Sequence, residues 1–409
     1  MYKLPLQGET QEKERSCPAG SLQNIPLLSF FSGAGFLDIG FMQVGFDIIW
    51  RNEYNPSFIK GFEYAMALMP SLSHNGNGKV HNTLSVTNLD AKRIAREAFH
   101  NLPMLEMFGM IGGPPCPDFS RGGKNRGREG DQGKLSQTYV DIIVELQPTF
   151  FLFENVPGLL RTGKHRHFLY ELMSRLSEYY YIDLNVLNAL EYGIPQNRER
   201  LFLIGFQKGW IEQNKDNHLL AKCRNKETDL FRTRNTPDSK FLVRDHWFPW
   251  PAHCYEKAKV RYSWPEQSPF GAEPEKPEGI PDELMIGSVI SKIDELAALP
   301  NGSEAFEPRS GKFAIIAEGD VSRKSFKRLH RWRYSPAAAY GNNEVHLHPT
   351  LPRRLTVREA FRIQTVPDSY AFPQEIPLSH KFKMIGNGVP VKLARVVAES
   401  FADFLTSRS

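Results

Sequence analysis

Residues 111–120 read IGGPPCPDFS, with Cys116 held between Pro115 and Pro117 behind two glycines and an apolar run. Packing does not need a thiol held so stiffly, but nucleophilic chemistry does. A free thiol has a reference pKa of about 8.5 and is only slightly ionised at neutral pH, so a reactive cysteine needs a positive neighbourhood. The following stretch, residues 121–134 (RGGKNRGREGDQGK), supplies Arg121, Lys124, Arg126, Arg128 and Lys134 against Glu129 and Asp131, on a chain loosened by five glycines. A carboxyl candidate, Glu154, stands in FENV at 153–156, and QNRER at 196–200 places Arg198 and Arg200 one residue apart. Two arginines so spaced point the same way in an extended chain and suit a carboxylate or a base oxygen held in fixed geometry. A glycine turn, Ser32-Gly33-Ala34-Gly35, with Glu53 beyond, offers close backbone approach and an acid for a ribose diol, the marks of a nucleoside-bearing cofactor. The third glycine of the dinucleotide fingerprint is absent, because Phe36 follows, and no Gly-Lys-Ser/Thr serves a triphosphate. Taken singly, each feature also has a structural reading: an inert thiol, an acid at a strand end, a solvated turn.

The elements that must position these residues alternate. LLSFF at 27–31 is an apolar strand that runs into the glycine turn, and helical spacing follows over 36–44. FDIIW at 46–50 is a second strand with Glu53 just past its end, and 56–69 is a helix with Pro56 in its first turn. Strands at 107–111 and 150–153 put Cys116 and Glu154 at the carboxyl edge of the sheet, where open α/β folds bind ligands. Helices are expected over 91–99, 134–146 and 165–179, and further strands at 184–187 and 201–206. This alternation implies an α/β fold with a doubly wound, mostly parallel sheet. From 207 to 335 the chain is polar, Pro-rich and aromatic in clusters (WFPWP at 247–251) without a clean period, and is read as a smaller irregular unit. Regular patterning returns with helices over 356–364 and 391–405. The expected division is an extension over 1–25, a core domain over 26–206, the irregular domain over 207–335, and a segment over 336–409 that returns to the core.

Bulk properties narrow the class. The 409 residues are 41% hydrophobic and 24% charged with a net charge of +5, ordinary for a soluble globular chain and permissive of an anionic partner. Four cysteines without a C-x-x-C pair argue against both a zinc site and a disulfide framework, so no metal is expected and a reducing cytoplasm is the simplest home. No run approaches the roughly 18 apolar residues of a membrane span.

In order and at plausible spacing, these pieces resemble the cytosine-5 DNA methyltransferase family. FFSGAGF at 30–36 is similar to its cofactor loop and Glu53 to its ribose-binding acid. GGPPCPDFS is similar to its Pro-Cys nucleophile motif, FENV to its Glu-Asn-Val motif, and QNRER to its Gln-x-Arg-x-Arg motif. RRLTVREAFRIQTVPDSY at 353–370 and IGNGVPVKLA at 385–394 are similar to the two motifs that close the family pattern. The chain departs from that pattern at Phe36, where most members have glycine, at Pro117, where glutamine is usual, and near Ser85, where an acid is expected.

The resemblance implies a fold of the AdoMet-dependent methyltransferase type with a target-recognition domain. It implies methyl transfer from S-adenosyl-L-methionine to carbon 5 of a cytosine in duplex DNA, with Cys116 as nucleophile and Glu154, Arg198 and Arg200 completing the catalytic set. Phe31, Gly33, Gly35, Glu53, Pro115 and Asn387 would hold the cofactor. Ser120, Arg121, Lys124, Arg126 and Arg128 would close over the DNA. Lys327, Arg328 and Arg331 belong to a basic, aromatic-interleaved run at 322–334 that suits a phosphate backbone track. A bacterial, monomeric restriction–modification enzyme is expected, with any cognate endonuclease acting separately. Transfer to a transfer RNA cytosine and an inactive DNA-binding relative are the alternatives within reach.

Overall fold

The computed structural model describes residues 24–72, 80–99, 107–115, 131–232, 243–340 and 344–407. The strands are β1 (Ile25–Phe30), β2 (Phe46–Asn52), β3 (Val80–Asn82), β4 (Gly109–Gly112), β5 (Phe150–Asn155), β6 (Tyr180–Asn188), β7 (Gln196–Asn197), β8 (Glu199–Gln207) and β9 (Ser335–Pro336). The helices that cover them begin with α1 (Phe36–Met42), α2 (Pro56–Leu68), α3 (Ala91–Phe99), α4 (Asp131–Leu146), α5 (Gly158–Arg161), α6 (Gly163–Leu176), α7 (Lys208–Asn214) and α8 (Asn217–Arg232).

Seven strands form one sheet in the order β3-β2-β1-β4-β5-β8-β6. All neighbours are parallel except β8, which runs antiparallel to both β5 and β6. The reversal was not legible in the strand's own residues, because a strand buried on both faces reads as the same apolar run in either direction. The period of two shows in β5. Phe151 and Phe153 enter one core with α3, α4 and α6, whereas Phe150 and Leu152 enter the other, with α1 and the C-terminal helix Val391–Thr406. Both faces are therefore covered, as a doubly wound sheet requires.

Helices α7 and α8 pack on the sheet as well. Ile211 and Cys223 lie in the second core with Trp247 and Phe248. Asp183 of β6 fixes that segment by accepting from the backbone N–H groups of Trp247 (2.9 Å) and Phe248 (3.1 Å). The region without a regular period thus begins further along than the composition suggests. Past it, the helix Val357–Ile363 opens with a capping box: the Thr356 hydroxyl accepts from Glu359 N at 3.2 Å, and Glu359 returns the bond from Thr356 N at 2.8 Å. A third core joins Ala34, Phe36 and Ile39 to Ile286, Ile290 and Leu329 and to residues 355–391. None of the described helices is long and apolar enough to cross a membrane.

The contact between α1 and the C-terminal helix depends on Gly40. A Cβ there would lie 2.5 Å from Ala394 Cβ and 2.6 Å from Arg395 N. Gly40→Ala is expected to destabilise the fold by about 1–3 kcal/mol through overpacking, despite the roughly 1 kcal/mol gain in helix propensity. Urea unfolding checks this, and an unchanged midpoint would refute it.

Candidate active site

Strands β4 and β5 end side by side, with Gly112 opposite Phe153. Gly113 therefore passes Glu154 so closely that a Cβ would sit 2.7 Å from Glu154 Oε2. A side chain at 113 would displace that carboxyl from its present position. One residue on, Asn155 Nδ2 donates to the Pro114 carbonyl at 3.3 Å, tying the Gly-Pro-Pro segment to the end of β5. Pro115 is half-buried, and Cys116 follows it directly in the chain. Cys116 itself, with Ser120, Arg121, Lys124, Arg126 and Arg128, lies outside the described residues.

Because β8 is antiparallel to β5, its first residues reach the edge where β5 ends: Asn155 pairs with Leu201. Arg200 meets Glu154 there, Nε to Oε1, at 2.9 Å, with side chains only 11% and 12% exposed. Burial raises the pKa of Glu154 above the ordinary carboxylate range, and Arg200 and then Arg198 pull it back only in part. The result is a carboxyl held against a guanidinium with its pKa above the ordinary range.

Arg198 has a different task from the one expected. Its terminal nitrogens donate to the carbonyls of Ala338 (2.7 Å), Gly386 (2.7 Å) and Gly388 (2.8 Å), and it is 1% exposed. Through those terminal nitrogens it braces three carbonyls of the chain. Gln196 adds to the brace, accepting from Ala338 N at 3.2 Å and donating to Gln364 Oε1 at 3.2 Å. Arg198 sits between two ladders, β7 on β9 and β8 on β5, and lies close enough to Glu154 to act on its carboxyl together with Arg200.

A second cluster lies at the end of β1. Phe31, Gly33 and Gly35 adopt left-handed φ angles of 53°, 57° and 75°. Glu53 Oε2 accepts from Gly33 N at 2.9 Å, and Oε1 accepts from Asn55 N at 2.8 Å. Burial raises the pKa of Glu53, partly offset by these N–H donors. Ser32, Gly33, Arg51, Glu53, Ile59, Phe62, His81 and Asn82 line a concavity there. Tyr54 is 70% exposed immediately beside Glu53, an aromatic face next to the acid. Asn387 is exposed at the end of the helix Leu378–Asn387. Phe36 fills the space beside Gly388, where a Cβ would lie 2.3 Å from the Phe36 ring, and packs edge-on against Phe361 and Tyr370. This packing accounts for the departure at Phe36.

Within the basic run at 322–334, Arg323 and Lys324 are exposed, whereas Arg328 and Arg331, expected on a phosphate track, make their contacts inside the protein. Arg328 is 0% exposed, donates to the carbonyls of Ile316 (2.8 Å), Leu351 (3.0 Å), His348 and Phe313, and stacks over Phe270. Burial holds its pKa down at about 10. Arg331 forms a two-pronged pair with the buried Glu318, 3.0 Å on each prong, and donates to the Ala272 carbonyl. A segment poor in strands leaves carbonyls without ladder partners, and arginine donors fill that need. Lys327 is half-buried.

Comparisons with known proteins agree with this geometry. Residues 25–403 match the C-5 cytosine-specific DNA methylase family. The chain is 42% identical over 386 residues to the Type II methyltransferase M.NmeDI of Neisseria meningitidis serogroup C, covering 93% of this chain and 84% of that one. It is 28% identical to M.FnuDI of Fusobacterium nucleatum, covering 93% and 95%. Among solved structures, the S. pombe Dnmt2 methyltransferase aligns over 94% of this chain and all of that one with a TM-score of 0.56 at 12% identity, a likeness of fold. A methyl-donor-dependent enzyme acting on DNA is therefore favoured over the transfer RNA alternative. The chain belongs to the C-5 cytosine-specific DNA methylase family and is a cytosine-5 DNA methyltransferase.

Proposed function

We propose that the chain methylates one cytosine within a specific duplex sequence by a covalent route through Cys116. The supporting observation is the Arg200–Glu154 pair beside Gly113 and Pro114, one residue short of Pro115-Cys116. Carbon 5 of cytosine is a poor nucleophile. Addition of the Cys116 thiolate to carbon 6 makes the ring enamine-like, so that carbon 5 attacks a methyl sulfonium. Electron density moves toward ring nitrogen 3, and Glu154, inclined by burial to hold a proton, hydrogen-bonds that nitrogen. Arg200 keeps Glu154 oriented and faces the base. Loss of the carbon-5 proton then breaks the sulfur–carbon bond and restores aromaticity.

The methyl donor is S-adenosyl-L-methionine, which supplies an activated methyl group on a sulfonium. The residues fit it. The left-handed turn at Phe31, Gly33 and Gly35 exposes backbone, Glu53 stands beside it with carboxylate oxygens for a ribose diol, and the Tyr54 face suits a purine. Pro115 and Asn387 complete that set. A base inside a duplex is shielded by stacking, so the target cytosine is swung out at a cost of a few kcal/mol. Ser120, Arg121, Lys124, Arg126 and Arg128 would close over it, with Lys327 adding a contact from the irregular region. The Type II names of the relatives support a role in marking sites against a separate endonuclease.

Cys116→Ser is expected to abolish methyl transfer while DNA binding stays within about threefold of wild type, and wild-type protein is expected to form a denaturation-resistant adduct with duplex DNA carrying 5-fluorocytosine. Retained turnover in the variant, or no shifted band with the fluorinated DNA, would overturn the covalent route. Glu154→Gln is expected to slow transfer by about 10²–10⁴-fold. The folded protein binds the Glu154 proton more tightly than the unfolded chain does. Its contribution to stability therefore falls as pH rises from the ordinary glutamate value through the raised one, and is level above. Transfer at limiting DNA, which reads the free enzyme through kcat/KM, falls over the same window. Unfolding curves for wild type and Glu154→Gln across that window test the sign, and parallel pH slopes would contradict it.

A further inference from the structure

We propose that Tyr370 is a positioning residue for the methyl donor, because its hydroxyl sets the shape of the cofactor turn. The inference rests on reading that turn as the S-adenosylmethionine site. Residues Phe31, Gly33 and Gly35 all take left-handed backbone angles, and for Phe31 that conformation is strained. Such a turn persists only where its surroundings over-determine it. Its N–H groups are held locally: Ser32 N donates to Asn52 O at 3.1 Å, Gly33 N to Glu53 at 2.9 Å, and Gly35 N to Ser32 O at 2.7 Å. The Ala34 carbonyl is held from far along the chain, by the Tyr370 hydroxyl at 2.8 Å.

That hydroxyl has little freedom to leave. The Tyr370 side chain is fully buried, with ring centroids 5.5 Å from Phe36, 5.2 Å from Phe361 and 5.5 Å from Phe372. Its carbonyl accepts from Arg358 at 2.7 Å, and the same guanidinium grips the Pro300 carbonyl at 2.8 Å. The turn is thus gripped by Glu53 on one side and by Tyr370 on the other. Phenylalanine at 370 would keep every ring contact and leave the Ala34 carbonyl without this donor in a site closed to water.

The test compares the full-length wild type, Tyr370→Phe and Tyr180→Phe. Tyr180 is an equally buried tyrosine whose hydroxyl donates to Pro148 O at 3.0 Å, at the opposite edge of the sheet. Calorimetric titration with S-adenosylmethionine is expected to show binding weakened on the order of tenfold in Tyr370→Phe, the size of one lost buried hydrogen bond. KM for the cofactor should rise in parallel, with kcat at saturation and KM for DNA within about twofold of wild type. Tyr180→Phe should lose thermal stability without weakening cofactor binding. Unchanged cofactor affinity in Tyr370→Phe, or an equal loss in Tyr180→Phe, would overturn the proposal and leave the cofactor reading standing. A wild type that binds no S-adenosylmethionine would bring down that reading and this inference with it.

Discussion

The ion pair between Glu154 and Arg200 is the constraint around which the carboxyl edge of the sheet is arranged. At 2.9 Å the attraction is on the order of 5 kcal/mol at the effective dielectric of a protein. Desolvation of each nearly buried ion opposes it by a comparable amount. With the two so nearly matched, local packing decides which side wins, and here burial does, leaving the carboxyl raised. The Gly113 backbone runs against that carboxyl, where an added Cβ would lie 2.7 Å from Glu154 Oε2. The antiparallel run of β8 is what brings a guanidinium to this edge at all, since in a wholly parallel sheet only strand C-termini would meet there.

Arginine carries a second burden elsewhere in the molecule. Arg198, Arg328 and Arg358 are buried, and each spends its donors on carbonyl oxygens contributed by distant segments. Where chain segments meet without a sheet between them, backbone acceptors still need partners, and one planar group with five N–H donors serves several at once. A basic composition in such regions therefore reports internal carpentry as readily as contact with an anion.

Much of the fold and part of the site were legible in the sequence. Apolar runs of strand length alternating with helical periods located β1, β2, β5 and the helices between them, because burial on both faces leaves a continuous apolar signature. Glu53, Glu154 and Arg200 were placed by their positions just past or just before such strands. The rest depended on contacts that no local pattern encodes. Arg198 and Arg328 look like Arg200 in composition and differ only in where distant carbonyls come to lie. Tyr370 lies 336 residues from the carbonyl it holds, beyond any periodicity. Helices α7 and α8 were missed because their polar outer faces dominate a short window, although Ile211 and Cys223 are buried.

The C-terminal helix has a consequence for biosynthesis. Phe401 rests against Phe41, Phe150 and Phe206, and Ala394 fills the space left open by Gly40. A nascent chain that has not yet extruded residues 391–406 from the ribosome leaves one face of its central sheet wet. The Gly386 and Gly388 carbonyls that anchor Arg198 come from the residues just before it. Competence therefore waits for residues 391–406, and a product truncated before them exposes aromatic surface that invites aggregation.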